Sequence, residues 1–111
     1  MKGTNPTKAE KAYWNELCST VGCVACLIDS NFNGWCSIHH TDGRTKPGCH
    51  KKVLPLCGPH HQQDDTDPYK RIAVHPNKAR FEAKYGRQAD LIAFCDEILA
   101  QAKKKLEAAH A

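Results

Sequence analysis

The 111-residue sequence predicts a small α+β fold in which two strands and a short helix form the core, flanked by N-terminal and C-terminal helices. Three observations predict it. Seven cysteines and seven histidines are present, and six of the former and five of the latter fall between Cys18 and His61. The cysteine count is odd and the opening residues, MKGTNPTKAEKAYWNEL, carry no apolar leader. A disulfide framework therefore fits badly, and reduced thiols in a cytoplasm are expected. Finally, the pairs Cys23-x2-Cys26 and Cys57-x2-His60 share one spacing and together supply a tetrahedral ligand set. Such a set is closed to substrate, so its expected role is a structural zinc, which a small domain of low hydrophobicity needs most.

One domain over residues 1–111 is expected, because a chain this short builds a single core. Thr7 followed by Glu10 is a capping box, and Tyr13 with Leu17 gives a modest apolar stripe, so a helix is expected over about residues 8–20, stopped near Gly22. GCVAC then resembles the tight turn of a zinc knuckle. After the polar break SNFNG, WCSIHH reads as a strand with Ile38 and His40 on one face and Ser37 and His39 on the other. TDGRTKPG reads as a loop, and HKKVL as a second, antiparallel strand whose Pro55 ends the ladder or lies on its edge. Pro59 suits the first turn of a short helix carrying His60 and His61. The zinc-bound core thus spans about residues 21–64. DDTDP is a second loop. C-terminal helices are expected over about residues 77–107. The first is closed by Gly86, and the second carries Leu91, Cys95, Ile98, Ala102 and Leu106 on one face and frays from Lys103. Trp14, Trp35 and Cys95 are expected in the core.

Charge and hydropathy exclude little. Sixteen Lys and Arg against twelve Asp and Glu give +4, a mild fit to a polyanion. The longest apolar run, residues 23–28, is far short of the roughly 20 residues that span a bilayer, so no membrane role is expected.

The histidines outside the zinc set carry the chemistry. Consecutive helical residues point about 100° apart, so His61 cannot readily share the ion held by His60. It is free to meet the strand that carries His39 and His40. Two imidazoles holding an exchangeable divalent ion beside a third that holds none is the arrangement metal-assisted phosphodiester cleavage requires.

The stretch GCVAC, SIHHTDG and HKKVLPLCGPHHQQ resembles the HNH endonuclease, or ββα-metal, module. More narrowly, the order IHH, PLCGPHH, VHP and FEAKYG is similar to the phage recombination-enhancement (Ref) nucleases, which act on DNA held by the RecA recombinase. The resemblance runs over about residues 21–99 and implies a metal-dependent DNA endonuclease of phage or prophage origin. It also implies that cleavage leaves 5′-phosphate and 3′-hydroxyl ends. On this resemblance His40 is the general base, while His39 and His61 hold Mg²⁺, Mn²⁺ or another divalent ion. Cys23, Cys26 and Cys57 are structural zinc ligands, with His60 standing where a fourth cysteine is more usual. The middle Asn of the HNH name has no counterpart: Lys52 lies near its place, and His50 two residues earlier is the candidate substitute. DNA and a RecA-type filament are the implied partners, of a monomer in a bacterial or phage-infected cytoplasm.

Other assignments stay open. If the hairpin turns at about residues 42 and 43, Cys36 and Cys49 come opposite each other, and with His50 they offer a second zinc site; the competing reading is core cysteines. Arg44, Lys46, Lys51 and Lys52 lie between the catalytic histidines in sequence and are candidate phosphate contacts. Cys18 and His75 receive no role from spacing. The alternative to an enzyme is a non-catalytic zinc module that binds nucleic acid or a recombination protein.

Overall fold

The computed structural model describes residues 5–110. Helix α1 (Lys8–Glu16) starts at the expected capping box: the Glu10 amide donates to Thr7 Oγ1 at 3.1 Å and the Thr7 amide to Glu10 Oε1 at 2.7 Å. It runs on through one wide π-helical turn (Leu17–Val21), whose Leu17 and Val21 are fully buried. Gly22 then stops the helix at φ 69°, ψ −160°, a region essentially reserved for glycine. An added Cβ there would meet the Asn33 carbonyl oxygen at 2.6 Å, so close approach as well as conformation selects glycine.

The expected zinc-knuckle turn is instead a short helix, α2 (Val24–Ile28), with Cys23 as its N-cap; the Cys23 sulfur accepts from the Cys26 amide at 3.5 Å. Strands β1 (Ser37–His40) and β2 (Val53–Leu56) pair antiparallel, and α3 (Gly58–His61) follows with Pro59 in its first turn. Pro55 sits within β2 opposite Ile38 and is tolerated because a two-stranded sheet is all edge.

The register corrects one expectation. Ser37 faces Leu56 and His40 faces Val53, which centres the turn near residues 46 and 47 rather than 42 and 43. Gly48, at φ 75°, leads into a 3₁₀ turn (Cys49–Lys51) that consumes the residues expected to begin the second strand. Cys36 therefore does not come opposite Cys49.

Helix α4 (Val74–Tyr85) is broken in its first turn, where His75 (φ −110°, ψ 115°) and Asn77 (φ −103°, ψ 47°) are not helical, so its regular part begins close to the expected residue 77. Helix α5 (Gln88–Ala109) keeps Leu91 and Cys95 buried and Ile98 and Leu99 half-buried against the core. Two expectations fail here. Leu106 is 61% exposed, so the buried stripe ends earlier, and the helix continues through Lys103 to Ala109 instead of fraying.

The core is one cluster in which Leu17 and Val21, Val53, Leu54 and Leu56, and Phe81 meet the zinc-set cysteines. A small apolar core and a polar ligand cluster are thus one body, and loss of either exposes the other. Trp35, expected in the core, is 90% exposed, whereas Trp14 is half-buried and donates to the His50 carbonyl at 2.8 Å. No described helix is long and apolar enough to cross a membrane.

Candidate metal centres and catalytic cleft

Cys23, Cys26, Cys57 and His60 converge with every ligand atom within 4.8 Å of the others, and all four are buried. Two N-caps do the positioning: Cys23 opens α2 and Cys57 opens α3, so each pair turns both its members to the same point. Zinc bonds of about 2.3 Å to sulfur and about 2.0–2.1 Å to nitrogen, at tetrahedral angles, separate sulfurs by about 3.8 Å and sulfur from nitrogen by about 3.6 Å. Here Cys26 Sγ lies 3.7 Å from Cys57 Sγ, and His60 Nδ1 lies 3.5, 3.5 and 3.2 Å from the sulfurs of Cys23, Cys26 and Cys57. The donor set fits zinc in chemistry and in size.

Outer contacts support that fit. With Nδ1 turned to the sulfurs, His60 Nε2 donates to the Tyr85 hydroxyl at 3.1 Å, and that hydroxyl donates to Asp29 Oδ2 at 2.6 Å. This carboxylate–tyrosine–imidazole chain fixes the ring tautomer and raises its basicity as a ligand. Three thiolates around a divalent ion leave one excess negative charge, and Arg71, held by Asp67 at 2.9 and 3.0 Å, reaches Cys57 Sγ at 3.9 Å. Hydrogen bonding from Cys23, reinforced by His60 and opposed by burial, pushes the Cys57 thiol down to about 4, and Cys23 is raised in exchange.

The other histidines meet on one side of the hairpin. Strand alternation holds as expected: Ser37 and His39 face α3, where Ser37 Oγ lies 2.9 Å from His61 Nδ1 and the His39 and His61 rings are 5.2 Å apart. His75 completes a second cluster, with ligand nitrogens of His39, His61 and His75 within 4.8 Å of one another. Its backbone is pinned there by a parallel bridge to Gln62 and by the Gln63 amide donating to the His75 carbonyl at 2.9 Å. His39 is buried, and its Nε2 donates to Gln88 Oε1 at 2.7 Å, which leaves Nδ1 as the ligand nitrogen. Burial pushes His39 down to about 4; burial likewise lowers His61, with His75 and Arg44 adding repulsion. Both shifts favour the neutral imidazole, the form that binds metal.

His40 points to the opposite face of β1. Its Nε2 lies 3.0 Å from His50 Nδ1, and the Trp14 ring stands edge-on to both imidazoles at 5.5 Å. His40 Nδ1 is shielded from solvent and has no hydrogen-bond partner among the described residues. Burial first, then Arg44, His50 and His61, lowers its proton affinity. His39, His40, His61 and His75 all line one cleft of about 480 Å³, and Arg44 stands on its wall.

The remaining expectations separate. Cys36, Cys49 and His50 do not form a ligand set among the described residues: Cys36 lies beside Cys18, Cys49 is buried in the 3₁₀ turn, and His50 faces His40. The shifted register is the physical reason. Of the four candidate phosphate contacts, Arg44 alone lines the histidine cleft, where Lys78 stands as well. Lys52 pairs with Asp42 at 3.5 Å, Lys51 lines a separate hollow with Glu10, Tyr13 and Asp96, and Lys46 is exposed on the loop. His75 and Gln88 were missed from sequence. The family-like VHP was the one signal for His75, and spacing alone could not connect it to His39.

A family model described as recombination enhancement, RecA-dependent nuclease matches residues 6–100.

Proposed function

Since the chain belongs to the recombination-enhancement, RecA-dependent nuclease family, we propose that it is a metal-dependent endonuclease of the HNH type that hydrolyses DNA phosphodiester bonds. The observation that carries this reading is the pairing, in one cleft, of a three-imidazole donor set with a fourth histidine outside it. Cys23, Cys26, Cys57 and His60 would hold the structural zinc, and His39, His61 and His75 would hold the catalytic ion. A divalent ion there supplies charge neutralisation on the phosphate and on the departing 3′ oxygen.

The chain's own residues supply the rest. His50 holds the ring of His40 through its Nε2, taking the place of the missing Asn, and His40 is the base for the attacking water. Arg44 contacts the phosphate from the cleft wall. Gln88 orients His39, and Ser37 orients His61. Three imidazole ligands favour later first-row divalent ions over Mg²⁺ in affinity. Every site residue comes from one chain, so a monomer suffices, acting on DNA with or without a RecA-type filament in a bacterial cytoplasm.

The test is strand cleavage by purified protein on plasmid, single-stranded and recombinase-coated DNA, with His40→Ala beside it. The variant should lose at least 100-fold in rate while keeping its zinc, fold and DNA affinity. Undiminished cleavage would remove His40 as the base. Zinc-loaded protein that binds DNA but cuts none of the three substrates would make the chain a binding module.

A further inference from the structure

A second hollow of about 490 Å³ adjoins the histidine cleft and shares Thr41, Lys78 and Gln88 with it. Lys78, on the first regular turn of α4, therefore stands at the junction, and Arg87, the N-cap residue of α5, lies further along. Both are exposed, and neither makes an ion pair among the described residues. The acids of this hollow are already engaged. Asp42 is taken by Lys52 at 3.5 Å, and Glu82 accepts from the Gln88 backbone and side-chain amides at 3.4 and 3.5 Å. Among the described residues Arg44, Lys78 and Arg87 are thus cations without an ion pair along two contiguous hollows, whose lining includes the apolar Ala89 and Ile92. Cations along adjoining hollows with apolar side chains between them suit a ligand with repeated anionic groups and flat apolar units between them.

We propose that this groove carries the phosphodiester backbone of the cleaved nucleic-acid strand away from the histidine cleft, with Lys78 and Arg87 as its phosphate contacts. The inference rests on the nuclease reading and adds a strand path that begins at the scissile phosphate. It places the phosphate contacts on α4 and α5, well after the hairpin that carries Arg44, so the strand is clamped between the hairpin and the C-terminal helices. Contacts of this kind set affinity and position without reading sequence.

The experiment compares the full chain with Lys78→Gln/Arg87→Gln and with Lys104→Gln/Lys105→Gln, a control of equal charge change about 24 Å along α5 from Gln88. Fluorescence anisotropy with a labelled 20-nucleotide single strand and the matching duplex, over a salt series and without added divalent ion, gives affinity and its salt slope. Losing two phosphate contacts should flatten the slope of log K against log salt by about 1.4–1.8 and weaken binding roughly tenfold at low salt. The control should stay within twofold. On a substrate the wild type cuts, KM should rise by a similar factor with kcat within twofold. Unchanged affinity and slope, or an equal loss in the control, overturns the groove, as does a fall in kcat with KM unchanged. A groove-dependent affinity in a protein that cuts nothing would overturn the nuclease reading while supporting the groove, so the two failures are distinguishable.

Discussion

Tyr85→Phe isolates the outer contact of the zinc set. It removes one oxygen and keeps the ring, which packs at 5.0 Å from Phe81 and 5.4 Å from His60 between centroids. Two hydrogen bonds go with that oxygen, at 2.6 Å to Asp29 and 3.1 Å to His60. The Asp29 side costs little, because that carboxylate stands near Lys84 at 3.6 Å, and solvent reaches it. The His60 side is expensive: the ring is fully buried, and its Nε2–H is left without a partner, which costs about 1–3 kcal/mol. Loss of an outer-shell partner lowers metal affinity about 10–100-fold, or about 1.4–2.7 kcal/mol, so two independent arguments agree. Zinc affinity measured by competition with a chromogenic chelator should therefore fall by that factor, with far-UV circular dichroism unchanged in zinc. Tyr13→Phe is the control, since it deletes a hydroxyl–carboxylate bond of the same 2.6 Å length, to Asp96, away from the zinc set. Tyr85→Phe protein that holds zinc within twofold of the wild type would refute the reasoning.

Other perturbations separate the two metal sets from the scaffold. Gln88→Leu deprives His39 Nε2 of its acceptor and should weaken the exchangeable ion about 10–100-fold, read by divalent-ion titration of cleavage, without changing zinc content. Gly22→Ala forces a side chain into a glycine-only backbone region and against the Asn33 carbonyl; the backbone term alone is about 1–3 kcal/mol, and denaturant unfolding in zinc should show at least that loss.

The zinc set was legible because its ligands come as two short-range pairs, and spacing within a helix turn is local information. The alternation of β1 was equally local, so the separation of Ser37 and His39 from Ile38 and His40 needed no tertiary knowledge. What was not legible depends on pairings between distant segments. His75 reaches the cleft through a bridge to Gln62, and Gln88 reaches His39 across 49 positions of sequence. The register failed for a related reason: nothing in HKKVL announces that Gly48 will turn Cys49–Lys51 into a 3₁₀ helix and delay the strand to Val53. That same turn brings His50 to His40, so the residue suggested as a zinc ligand is the neighbour of the proposed base. Trp35 was misplaced because aromatic content signals burial on average and says nothing about a loop that turns outward.

On the proposed function two ligand sets of different character serve one small domain, the buried Cys23, Cys26, Cys57 and His60 for stability and the more open His39, His61 and His75 for cleavage. The most direct measurement is cleavage restored by added divalent ion after mild chelation, in the wild type and in His75→Ala, with zinc counted in both. The wild type should lose cleavage on chelation, keep one zinc per chain and recover with Mn²⁺ or Mg²⁺. His75→Ala should keep the same zinc and need at least 100-fold more ion to recover, because one of three ligands is gone. Cleavage that resists chelation, or a His75→Ala protein that recovers at the wild-type ion concentration, would contradict the account.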